Sequence, residues 1–306
     1  MRDIVTGVRG AEAAVRVLER ALAEAETTHR RLRVLTAWST PPMVLDAAGL
    51  GYGSEYIAPS VSTSCAQELV DTLLDKALRE RHSLLPVTTT TETDEGQPGR
   101  VLVEAGKDAG LIVVGGRGHG ALASALLGST TGFVLHHAHG PVMVVPDRAA
   151  PGPLHRVVVG YDGEECSRSA LRWGLDAATR YRCPLHVVHA MNILPIPGPN
   201  VLYPDYDIAT RSWLTQEVDE ALEARHDVEV ILEVIEGPAA RVLISEAGAD
   251  DLLVVGSRGR GGFADLVLGS VATQCTTHAR GAVVVVRRNE ERLDRPLPTV
   301  PPGARP

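Results

Sequence analysis

The stretch LVVGSRGRGGFADLVLGS, residues 253–270, decides how this chain is read. An apolar run stops at Gly256, a glycine-rich loop carrying Arg258 follows, and Gly269-Ser270 comes after nine residues counted from Gly259. Residues 112–129, IVVGGRGHGALASALLGS, repeat the arrangement. Extended outward, residues 111–145 and 252–286 align without a gap and are identical at about half their positions. The earlier halves correspond more loosely: IVTGVRGAEAAVRVLERALAEA answers VVVGYDGEECSRSALRWGLDAA, and RLRVLTAW answers PLHVVHAM. Such internal repetition implies two copies of one structural unit. The expected domains are residues 1–146 and 156–288, joined by a Pro/Gly/Ala-rich linker over 147–155. Residues 289–306, rich in Pro, Arg and acidic groups, are expected to be a disordered tail.

Within each copy the periodicity alternates. In the second, β-branched runs predict strands over 157–161, 185–189, 228–235, 252–255 and 282–286. Helices are predicted after Ser167, read as an N-cap, and over 208–225, 239–247 and 271–278. Ala170, Trp173, Gly174, Ala177 and Ala178 mark one face of the first helix. In the first copy Ala14, Val17, Leu18, Ala21, Leu22 and Ala25 do the same. Alternation of strand and helix, with continuous Val/Ile/Leu runs, implies a parallel sheet covered on both sides. The fold class is therefore α/β: two tandem doubly wound, Rossmann-like domains of five strands each. The irregular stretches 39–59 and 192–204 follow strand two, at the carboxyl end of each sheet, where open α/β folds bind ligands.

Composition narrows the function. The 306 residues carry a net charge of −8, with 44% hydrophobic and 22% charged residues. That balance argues against binding DNA or RNA, which requires clustered positive charge. Cys65, Cys166, Cys183 and Cys275 are scattered and form no Cys-x-x-Cys pair, so neither a disulfide framework nor a zinc site is indicated. The opening MRDIVTGVRG does not resemble a signal peptide, and no apolar run reaches the ~18 residues of a membrane span. A cytoplasmic location, away from membranes, is expected.

The glycine loop leaves the carboxyl end of strand four. Glycine turns sharply there and removes the Cβ atoms that would hold a ligand off the backbone amides. Gly269-Ser270 then opens a helix whose first-turn N–H groups and partial positive charge suit a phosphate. Ser270 adds a hydroxyl donor and Arg258 a charge. A Walker loop is excluded because no lysine precedes the final Ser. A Rossmann fingerprint is excluded because it follows the first strand, not the fourth.

Gly-x-x-Gly-x9-Gly-Ser after the fourth strand resembles the nucleotide signature of the universal stress protein family. It occurs as Gly256, Gly259, Gly269 and Ser270, and again as Gly115, Gly118, Gly128 and Ser129. GYDGEECSRSAL resembles the family's first-strand turn, with Asp162 at the acidic position. The resemblance implies an ATP-binding stress or dormancy regulator, with or without magnesium and without robust turnover. It also implies that the strands over 142–145 and 283–286 meet across an internal pseudo-twofold. By residue, it implies nucleoside contacts at Gly160, Asp162 and Ala190, and a ribose and phosphate cradle of Gly256, Arg258, Gly259, Gly269, Ser270 and Val271. The first-copy counterparts are Gly7, Ala37, Gly115, Arg117, Gly118, Gly128, Ser129 and Thr130. That copy departs from the pattern. Arg9 stands where the carboxylate is expected, either to meet a phosphate or to fill the site, and Gly110 replaces the acidic residue seen as Asp251, so that with an intact phosphate loop an acceptor for a sugar hydroxyl or base donor is expected to be missing.

Two alternatives stay open: a stress adaptor that has lost the ligand, and a slow ATP hydrolase. No nucleophile–base or carboxylate pair shows a diagnostic spacing, so the expectation is no enzyme and no catalytic residue. A protein partner and a homodimer are compatible with the sequence but not read from it. His136, His137 and His139 form HHAH, but neighbours on a helix diverge, which argues against a metal. His119 is a candidate phosphate donor or a solvent-exposed loop residue. Cys166 and Cys275 are candidate redox thiols or small packing residues. Trp38, Trp173 and Trp213 are expected in the core or at an interface.

Overall fold

A computed structural model describes residues 2–9, 12–38, 59–80, 85–116, 127–191, 204–222, 228–259 and 268–287. The first domain runs β1 (Ile4–Gly7), α1 (Glu12–Thr28), β2 (Leu32–Trp38), α2 (Pro59–Glu80), β3 (Thr89–Glu95), α3 (Pro98–Ala105), β4 (Leu111–Gly115), α4 (Ser129–His137) and β5 (Val142–Val145). The second repeats it as β6 (Val157–Gly160), α5 (Glu165–Tyr181), β7 (Leu185–Met191), α6 (Pro204–Leu222), β8 (Val230–Glu236), α7 (Ala239–Glu246), β9 (Leu252–Gly256), α8 (Ser270–His278) and β10 (Ala282–Val286).

The strands form one ten-stranded sheet in the order β3-β2-β1-β4-β5-β10-β9-β6-β7-β8. Pairing is parallel within each domain and antiparallel only where β5 meets β10, with Val144 opposite Val283, Met143 opposite Val284 and Val142 opposite Val285. The expected meeting of these two strands across a pseudo-twofold is thus observed. Every residue of both strands is buried, which explains why they carry no polar side chain. Two apolar cores cover the sheet, one under α1, α2, α5 and α6, the other under α3, α4, α7 and α8.

The predicted helical face of α1 is buried throughout, and so are Ala170, Gly174, Ala177 and Ala178 of α5. Trp173 and Trp213 pack at the margin of the same core. Both first helices stop on a residue with positive φ, His29 at 51° and Arg182 at 52°, a left-handed ending common at helix C-termini. Ser167 is not the N-cap of α5. That position belongs to Glu164. Ser167 lies inside the first turn, where its Oγ donates to the Glu164 carbonyl at 2.8 Å and accepts from the Asp162 N–H at 3.3 Å. It therefore ties the turn to the helix from within. Strand β8 starts two residues later than predicted and α6 starts and ends earlier. The irregular stretches after β2 and β7 and the expected disordered tail lie outside the described residues.

The segment between β5 and β6 is anchored at two points, where Ala149 and Leu154 are buried, while Asp147, Arg148, Pro151, Pro153 and His155 are exposed. Arg16 of α1 donates to the carbonyls of Asp147 and Ala149, and Arg20 to that of Gly152. Arg148 donates to the carbonyls of Thr277 and Ala279 at the end of α8, where a cation meets the negative end of a helix. Arg287, just after β10, donates likewise to the Leu135 carbonyl in α4. At the seam between the first helices, Tyr181 donates to the fully buried Glu24. No helix among the described residues is long and apolar enough to cross a membrane.

Candidate functional site

In each domain the strand order reverses between the first and fourth strands. In the second domain that switch point lies between β6 and β9, which pair directly. Ligands in open α/β sheets bind outside the carboxyl ends of the strands at such a point. The turn after β6 carries Asp162, and the loop after β9 carries Ser257, Arg258 and Gly259.

Asp162 organises the first turn. Its Oδ1 accepts the Glu164 N–H at 3.0 Å, an Asx-type turn, and Gly163 follows with φ 84°. Its Oδ2 faces the Cα of Gly259, where a Cβ would collide with it. Gly269, the N-cap of α8, donates its N–H to the Ser257 carbonyl at 2.7 Å. A Cβ there would stand 3.3 Å from that carbonyl and 3.5 Å from the Cα of Arg258. The two marker glycines thus let the loop, the Asp162 turn and the start of α8 converge. No side chain caps α8, so its first-turn N–H groups remain the orphan donors of any helix start. Ser270, the first residue of α8, is exposed.

Other glycines answer to packing. A Cβ on Gly256 would lie 2.8–3.0 Å from Cys166 in the first turn of α5. A Cβ on Gly160 would lie 2.7 Å from Leu243 of α7, and one on Gly7 2.7 Å from Leu102 of α3. Ala190 lies near the end of β7, beside β6, and Val271 in the first turn of α8.

Beside the Asp162 carboxylate, two arginines stand near the loop. Burial, then the neighbouring Arg258, lowers the Arg287 guanidinium from its ordinary value. Behind Asp162 lies a polar cluster that the sequence reading missed. Arg168 forms a two-pronged ion pair with Glu217, at 3.0 and 2.9 Å, and Tyr161 donates to the same carboxylate. His189 Nδ1 lies 2.7 Å from the Tyr161 carbonyl, and its ring meets Trp213 edge-on. Burial raises the Tyr161 hydroxyl well above its ordinary value, reinforced by Glu217. Burial alone would raise the Glu217 carboxyl, but the Arg168 and Tyr161 bonds together hold it below the usual range. Arg168 and Glu217 sit 49 residues apart on different helices, with no periodic signal linking them.

The first domain keeps the frame. Gly128 donates to the Gly116 carbonyl at 3.1 Å, matching Gly269 and Ser257. Thr131 donates to the Gly115 carbonyl. Ala37 is placed in β2 like Ala190 in β7, and Ser129 and Thr130 open α4. Arg117, Gly118 and His119 lie outside the described residues. Arg9 is exposed. The reading of Gly110 as a missing acceptor needs correction, because Asp251, its counterpart, lies at the amino end of β9, away from the loop. There Asp251 is buried, accepting from Arg156 at 3.0 Å and from the Gly248 N–H at 2.8 Å. Its role is structural.

The remaining candidates fall elsewhere. His136 and His137 each place Nδ1 against a carbonyl one turn back, and His137 stacks on Phe133. Cys166 Sγ lies 3.7 Å from the Ser257 hydroxyl, beside the loop. Cys275 is fully buried, and that burial pushes its thiol up to about 12, far from a reactive thiolate.

Against known proteins, the universal stress protein family model matches residues 1–146 and again 153–287. A universal stress protein of Mycobacterium tuberculosis is 32% identical over 306 residues, covering 93% of this chain and 94% of its own. One of Mycolicibacterium smegmatis is 36% identical over 225 residues, covering 72% and 76%. The crystal structure of a universal stress protein from Archaeoglobus fulgidus has the same fold, with a TM-score of 0.68 at 20% identity over 94% of this chain and 98% of that one. Family model, relatives and sheet topology agree: the chain belongs to the universal stress protein family and carries two of its domains in tandem.

Proposed function

We propose that the second domain binds ATP, with or without magnesium, at the switch point between β6 and β9, and that the chain serves as a cytoplasmic stress or dormancy regulator. The observation that carries this reading is the convergence of Asp162, Gly259 and Gly269, which leaves a helix start and a loop backbone together without intervening Cβ atoms. The α8 N-terminus and the Ser270 hydroxyl would hold the phosphates, with Arg258 supplying charge. Asp162 Oδ2, already aimed across the loop, would accept from the nucleoside. An anion would also offset the mutual repulsion of Arg258 and Arg287.

Turnover is not part of the proposal. Among the described residues the site offers no nucleophile paired with a base. For the first domain, an adaptor role without nucleotide is favoured by one observation: exposed Arg9 replaces the carboxylate. Calorimetric titration with magnesium ATP tests both points. One equivalent bound per chain, abolished by Asp162→Asn, is expected. A second equivalent of similar affinity would assign the ligand to both domains, and no heat at millimolar ATP would remove the proposal.

A further inference from the structure

The antiparallel meeting of β5 and β10 sets the carboxyl ends of one domain's strands beside the amino ends of the other's, so the seam carries two equivalent grooves. One holds the segment between β5 and β6, gripped by Arg16, Arg20 and the carbonyls of Ala249 and Asp250. Its twin is a cavity of about 930 Å³ between α5 and the amino ends of β1 and β4. Small-molecule sites commonly span about 300–1,000 Å³. Eight arginines and lysines line the cavity against four carboxylates, although the whole chain has a net charge of −8. The positive charge is therefore gathered here against the balance of the molecule.

The repeats show that this charge is particular to the second groove. Matching β1 to β6 and β4 to β9 places Arg172, Arg180, Arg30 and Lys107 of the cavity opposite Glu19, Thr27, Cys183 and Gly248 of the other repeat. Ala109 and Gly110 stand opposite Asp250 and Asp251. In the second domain the Asp251 carboxylate answers Arg156 and the Gly248 N–H. In the first domain a cation takes that place, because Arg30 Nη1 lies where a Cβ on Gly110 would be. Arg30, Arg172, Arg180 and Arg258 have no ion-pair partner among the described residues. Nε of Arg180 is buried without a hydrogen-bond partner among them, and its guanidinium lies 5.6 Å from the centre of the Trp173 ring. Of the four carboxylates, Glu24 is buried and turned to Tyr181.

We propose that this groove binds a small oligophosphate, held by Arg30 and Lys107 on the first-domain wall and by Arg172 and Arg180 on α5. Guanidinium forks match phosphate oxygens two at a time. Cations spread over both walls favour a row of charges over a single one, and the enclosed volume suits a small molecule. Glu104 holds Lys107 at 2.7 Å, but so exposed a pair is weak and gives way to a stronger anion. The cavity also reaches Ser257 and Arg258 of the β9 loop. The groove thus adjoins the proposed nucleotide site, and the inference does not depend on that site binding a nucleotide.

Calorimetric titration of the full chain with inorganic tripolyphosphate tests this, at one ionic strength because salt screens such contacts. At least one equivalent is expected to bind. Lys107→Gln with Arg172→Gln, two exposed residues from opposite walls, should weaken it at least tenfold. Arg100→Gln with Arg241→Gln removes the same charge from α3 and α7, on the other face of the sheet, and should change it less than twofold. Gly269→Ala separates the groove from the phosphate cradle of the proposed nucleotide site: the groove's equivalent should survive it with its affinity unchanged. Binding lost in Gly269→Ala but kept in Lys107→Gln with Arg172→Gln would move the anion to the cradle and overturn the proposal. No binding at millimolar tripolyphosphate, or equal losses in the two glutamine pairs, would overturn it as well.

Discussion

The Oδ2 atom of Asp162 lies over the Cα of Gly259, so the residue that ends the first turn fixes which residue the β9 loop tolerates. Gly259→Ala is therefore expected to displace the Asp162 carboxylate rather than merely narrow a phosphate path. ATP affinity should fall at least tenfold, about 1.4 kcal/mol, with circular dichroism unchanged. Adding Asp162→Ser, which shortens the facing side chain, should make room for the new methyl group without restoring affinity. Retained affinity in Gly259→Ala would detach Asp162 from the site.

Gly256 and Gly160 separate packing from binding. An added Cβ at Gly256 meets backbone atoms of Cys166, whereas one at Gly160 meets the end of the flexible Leu243 side chain. Overpacking against backbone costs about 1–3 kcal/mol. Gly256→Ala should lower the thermal midpoint clearly, and Gly160→Ala less, both measured without nucleotide. Equal midpoints would show that the α5 start yields easily.

The Arg168–Glu217 pair gives a pH dependence. Its side chains are 16% and 15% exposed, and the Glu217 carboxyl is held below its ordinary value. A depressed carboxyl contributes stability above its unfolded value and loses it as pH falls through the folded one. Glu217→Gln should cost about 2 kcal/mol at pH 7, shrinking toward zero at pH 3. Chemical denaturation at the two pH values measures this. A cost that is constant with pH would mean the pair contributes shape, not charge.

Glu24 has the opposite sign. Complete burial raises its carboxyl, against the lowering influence of Tyr181 and of Arg180, Arg20 and Arg30. A raised carboxyl favours folding fully below its unfolded value and loses that advantage as pH rises through the folded one. Glu24→Gln should thus be neutral or stabilising at pH 8, with the difference vanishing near pH 4. A large loss at pH 8 would show that the charged form is needed to join α1 to α5.

The repeat made the fold legible before any coordinates. Two copies of one pattern, with buried runs such as 282–286, marked the strands and their alternation with helices, whereas the meeting of the strands over 142–145 and 283–286 was implied by the family resemblance and its register, Val144 opposite Val283, came only from the structure. The loop glycines were legible because their spacing recurs. What sequence could not supply was the partner of each glycine. Gly256 and Gly259 look alike in a motif, yet one packs on Cys166 and the other on Asp162. The Tyr161–Arg168–Glu217–His189–Trp213 cluster was invisible because it is assembled from the turn after β6 and from α5, β7 and α6, and only Trp213 and Glu217 share an element. Asp251 was misplaced for a related reason: a residue just before a strand lies at the opposite end of the sheet from one just after it, and a linear motif hides that distance.

The most direct measurement is mass spectrometry of small molecules released from the denatured, purified chain, beside the same experiment on Gly269→Ala. The account predicts an adenine nucleotide from the first and little or none from the second, because a methyl group at Gly269 presses on the Ser257 carbonyl and shifts the start of α8. Release of no nucleotide from the parent chain after purification in millimolar ATP, or equal amounts from both chains, would contradict it.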